Sequence, residues 1–156
     1  MAYQNYAQQE RDYEVVKINR ISKKTKGGNQ VRFSALVVAG DKKGKVGAGL
    51  QKASDVRSAI EKAAAYAKRR MITVALMGTT IPHEVAIKFG AAKIILKPAP
   101  AGTGIIAGGA VRVVLEAAGI RDAVGKILGT KNKISNVYAT IEALEKVTKY
   151  EKRKKS

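Results

Sequence analysis

Arg20, Lys23, Lys24, Lys26 and Arg32 fall in the thirteen-residue stretch RISKKTKGGNQVR, which holds no acid. Lysine ammonium groups act as point charges toward phosphate, and arginine guanidinium groups offer a planar fork to phosphate oxygens. Gly27 and Gly28 sit near the middle, followed by Asn29, and let the main chain turn and come close to a ligand. The chemistry on offer is contact with a nucleic-acid backbone by a strand-flanked loop. Taken alone, such a run equally fits a lysine-rich hairpin tip that serves solubility.

The rest of the chain moves that balance. Thirty Lys and Arg against twelve Asp and Glu give a formal charge of +18 and a pI near 10.2 over 156 residues. A field of that sign and size favours polyanions, because neutralised phosphates release condensed counterions. Nucleic acid is the first candidate, with membrane surfaces and acidic proteins as competitors. Residues 1–71 carry 16 basic and 6 acidic side chains and residues 72–156 carry 14 and 6, so the excess belongs to both halves.

Other chemistries find little support. With no cysteine, thiolate metal sites, disulfides and thiol nucleophiles are excluded; with one histidine only carboxylates remain as ligands, and the twelve acids are scattered among thirty cations, so neither metal nor cofactor is expected. His83, beside Glu84 in a proline-containing loop, reads as a bystander rather than an acid–base catalyst. Gly102, Gly104 and Ala107 fit G-x-G-x-x-A, with Asp122 about where a ribose-binding acid would be sought. The fit is poor, because Pro98 and Pro100 separate strand from glycines and no repeated βαβ unit surrounds them. The same loop could pack against a helix, or admit a neighbour's backbone or an RNA phosphate to amides at the helix start. Few aromatic residues argue against base stacking and for shape and phosphate contact with folded RNA or duplex DNA.

The elements that must position these groups are legible as follows. Residues 1–12 form a polar arm, expected to be flexible and not a secretory signal. Glu14–Ile21 reads as a strand, Val31–Ala39 alternates as a strand with one buried face, and GDKKG turns into a third strand through Val46, Ala48 and Leu50. Ser54 is expected to cap a helix bearing Val56, Ala59, Ile60, Ala63, Ala67 and Met71, with Arg57, Lys68 and Arg69 outside that stripe. These make a βββα domain over residues 13–71. A second α/β sandwich over 72–148 follows, with strands at Ile72–Met77, Glu84–Phe89, Lys93–Lys97 and Ala123–Leu128. Its helices are a short one that stops at Gly119 and a last one through Val137, Ile141 and Leu144. Residues 149–156 are expected to fray as a basic tail. The fold class is thus α+β in two domains, and no apolar run reaches the ~20 residues of a membrane span.

Two long segments, GGNQVRFSALVVAGDKKGKVGAGLQKASDVRSAIEKA (Gly27–Ala63) and PAPAGTGIIAGGAVRVVLEAAGIRD (Pro98–Asp122), are similar to the S-five family of bacterial small-subunit ribosomal proteins. The resemblance spans about residues 14–148. It implies a double-stranded-RNA-binding-like first domain and a second with a left-handed crossover. It also implies no enzymatic activity and no small-molecule substrate. The partners it implies are small-subunit rRNA, the fourth and eighth small-subunit proteins, and mRNA where it enters, in a cytoplasmic ribosome. Influence on decoding accuracy and late assembly comes with them. By motif, the Lys23–Arg32 loop resembles the family's RNA-probing loop, associated with spectinomycin sensitivity. Gly102–Gly109 resemble the segment near the fourth protein, where fidelity effects arise, and Gly102, Thr103, Gly104, Gly108, Gly109 and Arg112 are expected to contact either protein or RNA. The family commonly carries basic residues after the paired glycines, where this chain has Asn29 and Gln30. Two other classes share the composition: a free duplex-nucleic-acid chaperone or DNA-compacting polycation, and a small nucleotide-using enzyme built on the glycine loop.

Overall fold

A computed structural model describes residues 13–155, without the side chains of Lys23, Lys154 and Lys155; the expected arm, residues 1–12, and Ser156 lie outside the described residues. The first sheet consists of β1 (Tyr13–Thr25), β2 (Gly28–Gly40), β3 (Lys45–Ala53) and β4 (Ile72–Thr73), antiparallel and adjacent in that order. Against expectation, no strand of the second sheet starts at Ile72. Ile72 and Thr73 pair instead with Val46 and Lys45, and the Val74 amide donates to the Gly44 carbonyl at 2.6 Å, which holds the segment on the first sheet. Met77 and Thr80 then close a turn around Gly78.

Alternation in β2 predicts one buried face, yet every residue from Ser34 to Gly40 is buried. Ala35 and Val37 pack with Ala59, Ala63 and Ala64 of helix α1 (Val56–Arg69). Leu36 and Val38 face the other way and join a core that contains Val114, Leu115 and Leu144 of the second domain. The uninterrupted run ALVVA, with no polar residue between its apolar ones, is the mark of a strand covered on both sides. Gly47 and Gly49 let α1 lie directly on β3, since a Cβ at Gly47 would stand 2.5 Å from the Ala67 carbonyl oxygen. The helix is capped by Asp55 rather than Ser54: the Asp55 carboxylate accepts from the Ser58 amide at 3.1 Å, a bond that a residue one position earlier is not placed to make.

The second sheet contains β5 (Val85–Phe89), β6 (Ala92–Pro98), β7 (Ile105–Ile106) and β8 (Ala123–Gly129), in the spatial order β5-β6-β8-β7. Helix α2 (Gly109–Ala118) links β7 to its parallel neighbour β8, and Gly119 ends it in the left-handed conformation at φ 92°, as the sequence predicts. Helix α3 (Lys133–Lys155) completes the cover of one face. The C-terminal residues from Lys146 onward do not fray but remain helical to Lys155. Burial of Val147 and Thr148 explains this, together with a contact in which Glu151 reaches His83 Nδ1 at 3.3 Å and Tyr150 meets the same ring edge-on at 4.6 Å. His83 is thus a docking post for the helix end.

The two sheets are fastened by more than a shared core. The turn between β2 and β3 donates its Lys42 and Gly44 amides to the Ala117 and Ala118 carbonyls at 3.0 and 2.9 Å, satisfying groups that the last turn of α2 leaves without partners. Lys42 adopts φ 59° to do so. At the other side, the Thr148 hydroxyl of α3 accepts from the Ala75 amide at 2.9 Å.

Candidate nucleic-acid interface

The basic stretch is strand, not loop. Pairing of β1 with β2 continues to Thr25 opposite Gly28, leaving Lys26 and Gly27 as the turn, closed by a 2.8 Å bond from the Thr25 hydroxyl to the Gly28 carbonyl. Pairing of β2 with β3 stops at Phe33 opposite Ala53. Beyond Phe33 the hairpin therefore stands out as a bare two-stranded ribbon, about 17 Å long at ~3.4 Å per residue. An isolated ribbon of this kind gains little from its own packing, so its length is a reach toward something else.

Lys24, Lys26, Asn29 and Arg32 are exposed along it, as is Arg20 at its base, and none of these cations has an ion-pair partner among the described residues. Register separates them into two faces. Arg20, Lys24 and Asn29 lie on the face of Phe33, the side on which α1 packs, while Arg32 lies on the opposite face. Phe33 and Ile60 join the ribbon's base to α1. Gly28 has φ 125°, which suits glycine alone, whereas Gly27 lies outside the left-handed region with open space where a Cβ would go.

The helix cations do not join this cluster as a group. Arg57, in the first turn of α1, is the nearest to the ribbon's base in sequence and pairs with Glu61 at 3.3 Å. Lys68 and Arg69 lie three turns later, about 16 Å along the helix axis. Lys68 rests 5.6 Å from the Tyr13 ring centre, and Arg69 donates to the Ala65 carbonyl at 3.4 Å.

The glycine loop has a different character from the one its motif suggests. Asp122 is 4% exposed, and its Oδ1 accepts from the Gly104 amide at 2.8 Å and the Gly102 amide at 3.1 Å. The Thr79 hydroxyl first, and then these two amides, hold its carboxyl below the ordinary carboxylate range. The Gly102 and Gly104 amides that a nucleotide phosphate would need are already taken by this carboxylate, a second reason, beside the poor fit of the sequence motif, to set the G-x-G-x-x-A alternative aside. Asp122 was visible in the sequence, but its partner Thr79 carried no signal. Thr103 is exposed beside these glycines. At the start of α2, Gly109 has open space around it, whereas a Cβ on Gly108 would stand 2.8 Å from Ile127. Arg112 is exposed and pairs with Glu116 at 3.0 Å.

A cleft of about 640 Å³ between β5 and α3 has walls of mixed charge, with Glu84, Glu142 and Glu145 beside Lys146, Lys149 and Arg153. Lys149 pairs with Glu145 at 3.2 Å, His83 with Glu151, and Lys146 donates to the Ala86 carbonyl at 3.3 Å. The outstanding feature of the surface remains the cationic ribbon.

Comparison with known families agrees with this geometry. Residues 12–75 match the family described as ribosomal protein S5, N-terminal domain, and residues 87–156 match ribosomal protein S5, C-terminal domain. The two matches are in order along the chain and take in the ribbon sheet and the glycine-loop domain in turn. With both halves matched, the chain belongs to the ribosomal protein S5 family, RNA-binding proteins of the small ribosomal subunit.

Proposed function

We propose that this chain is a structural constituent of the small ribosomal subunit that holds rRNA by phosphate contact and performs no covalent chemistry. The observation that carries the reading is the ribbon: a hairpin extended beyond its own sheet, bearing Lys24, Lys26 and Arg32 exposed and without acidic partners among the described residues. A ribbon of this kind lies along a groove or between converging RNA helices, where its ammonium and guanidinium groups offset phosphate repulsion. The core shared by the two domains then makes the chain a stiff clamp with one arm at the ribbon and another at the glycine loop and the start of α2.

In this reading Lys23, Arg20, Asn29 and Arg57 extend the ribbon site, and Lys68 and Arg69 make a separate phosphate contact at the far end of α1. Gly102–Gly109 and Arg112 face the fourth small-subunit protein, and the eighth protein is a second neighbour. mRNA passes nearby where it enters, so that the chain bears on decoding accuracy and on late assembly, in the cytoplasm.

Filter-binding titrations of small-subunit rRNA test the central claim. Replacing Lys24, Lys26 and Arg32 by alanine lowers the slope of log K against log salt by up to about 0.9 for each duplex phosphate that is no longer neutralised. A slope identical to that of the parent chain removes the ribbon from the mechanism.

A further inference from the structure

We propose that the open face of the second sheet is a second site for an RNA sugar–phosphate backbone, built from Lys88, Lys93, Lys97 and Lys126; this rests on the reading of the chain as an rRNA-binding protein. Strand register defines the face. Ile87, Ile94 and Leu96 turn toward α2 and α3 and lie in or against the core, so Lys88, Lys93, Ile95, Lys97 and Lys126 project the other way. All four lysines are exposed. Lys88 stands directly opposite Lys93, Lys126 is opposite Ile95, and Lys97 lies about 13 Å along β6 from Lys93 at ~3.3 Å per residue.

No Asp or Glu occurs in any of the four strands. None of the four lysines has an ion-pair partner among the described residues. Like charges placed directly opposite on adjacent strands destabilise the pairing. The Lys88–Lys93 pair is therefore a cost to the isolated chain that an anionic occupant turns into a gain.

Charge and shape together choose the occupant. An acidic protein partner would call for aromatic or arginine anchors in a pocket, and this face has neither. Phe89, the one ring in these strands, turns to the helix side, where it lies 6.2 Å from Tyr138. Without rings to stack bases, four lysine point charges around the half-buried Ile95, Val124 and Leu128 suit the backbone of structured RNA. The signal in the sequence was the period-two placement of Lys93, Ile95 and Lys97.

The test uses the full chain with Lys88→Gln, Lys93→Gln, Lys97→Gln and Lys126→Gln combined, small-subunit rRNA as probe, and the alanine variant of Lys24, Lys26 and Arg32 in parallel. The proposal expects weaker binding and a salt slope shallower by up to about 0.9 for each duplex phosphate left without its lysine, with a melting temperature no lower than the parent's. A slope unchanged in the glutamine variant but reduced in the ribbon variant overturns the sheet site and leaves the proposed function standing; unchanged slopes in both overturn both. Because the chain has no cysteine, Ala86→Cys on the same face can carry a photo-crosslinker into the assembled small subunit. Crosslinks to rRNA support the site, and crosslinks to protein alone overturn it, whatever the glutamine variant does.

Discussion

Gly40, at the end of β2, lies so close to the Ala117 carbonyl near the end of α2 that a Cβ added to it would overlap that oxygen. This is where the two domains touch backbone to backbone. The obstacle is main chain on an element fixed by Val114, Leu115 and Ala118 in the core, so it cannot swing aside as a side chain would. Gly40→Ala therefore destabilises the folded chain by about 1–3 kcal/mol, the ordinary cost of forcing atoms into a packed site. Urea unfolding measures it, and a midpoint equal to the parent's would show that the domains sit together less rigidly than a clamp requires.

Acid acts on the glycine loop through Asp122. Its folded-state pKa is depressed, by the Thr79 hydroxyl first and then by the Gly104 and Gly102 amides, so the stabilisation is fully present above the ordinary value of 3.8 and is lost as pH falls through the lower folded value. Melting curves between pH 7 and pH 3 should show the parent losing stability below about pH 4. Asp122→Asn keeps the size but accepts only weakly, so it melts lower at pH 7 and loses less on acidification. Parallel pH profiles for the two proteins would mean that the carboxylate does not hold this loop.

Period and turn chemistry made much of this legible in the sequence. The β1–β2–β3 order, α1 on one face, and the stop of α2 at Gly119 all rest on local patterns that tertiary contacts then reinforced. Apart from the cap of α1, which Asp55 takes from Ser54 through a bond to Ser58 three residues on, the departures share a cause, which is that partners distant in sequence decided them. Ile72 went to the first sheet because Val46 and Lys45 had an open edge, and the helix end stayed folded because His83 received it. For the candidate site, the cations were plain to read, whereas the ribbon that carries them was not. Its extent depends on where β3 ends, at Ala53, and no residue inside RISKKTKGGNQVR records that.

Gly27 offers the cleanest separation of fold from function. Gly28 needs its φ of 125°, so substitution there strains the turn whatever it binds. Gly27 has open space around its missing Cβ and lies outside the left-handed region, so nothing inside the chain requires glycine there. Gly27→Ala should change stability by no more than about 1 kcal/mol and in the favourable direction, because it restricts the unfolded chain. If RNA backbone comes up against the ribbon's turn, the same methyl group stands between them, and affinity for small-subunit rRNA should fall while the melting temperature holds. Binding equal to the parent's, with Lys24→Ala and Arg32→Ala still weakening it, would mean that phosphates meet the ribbon along its sides and never at its tip.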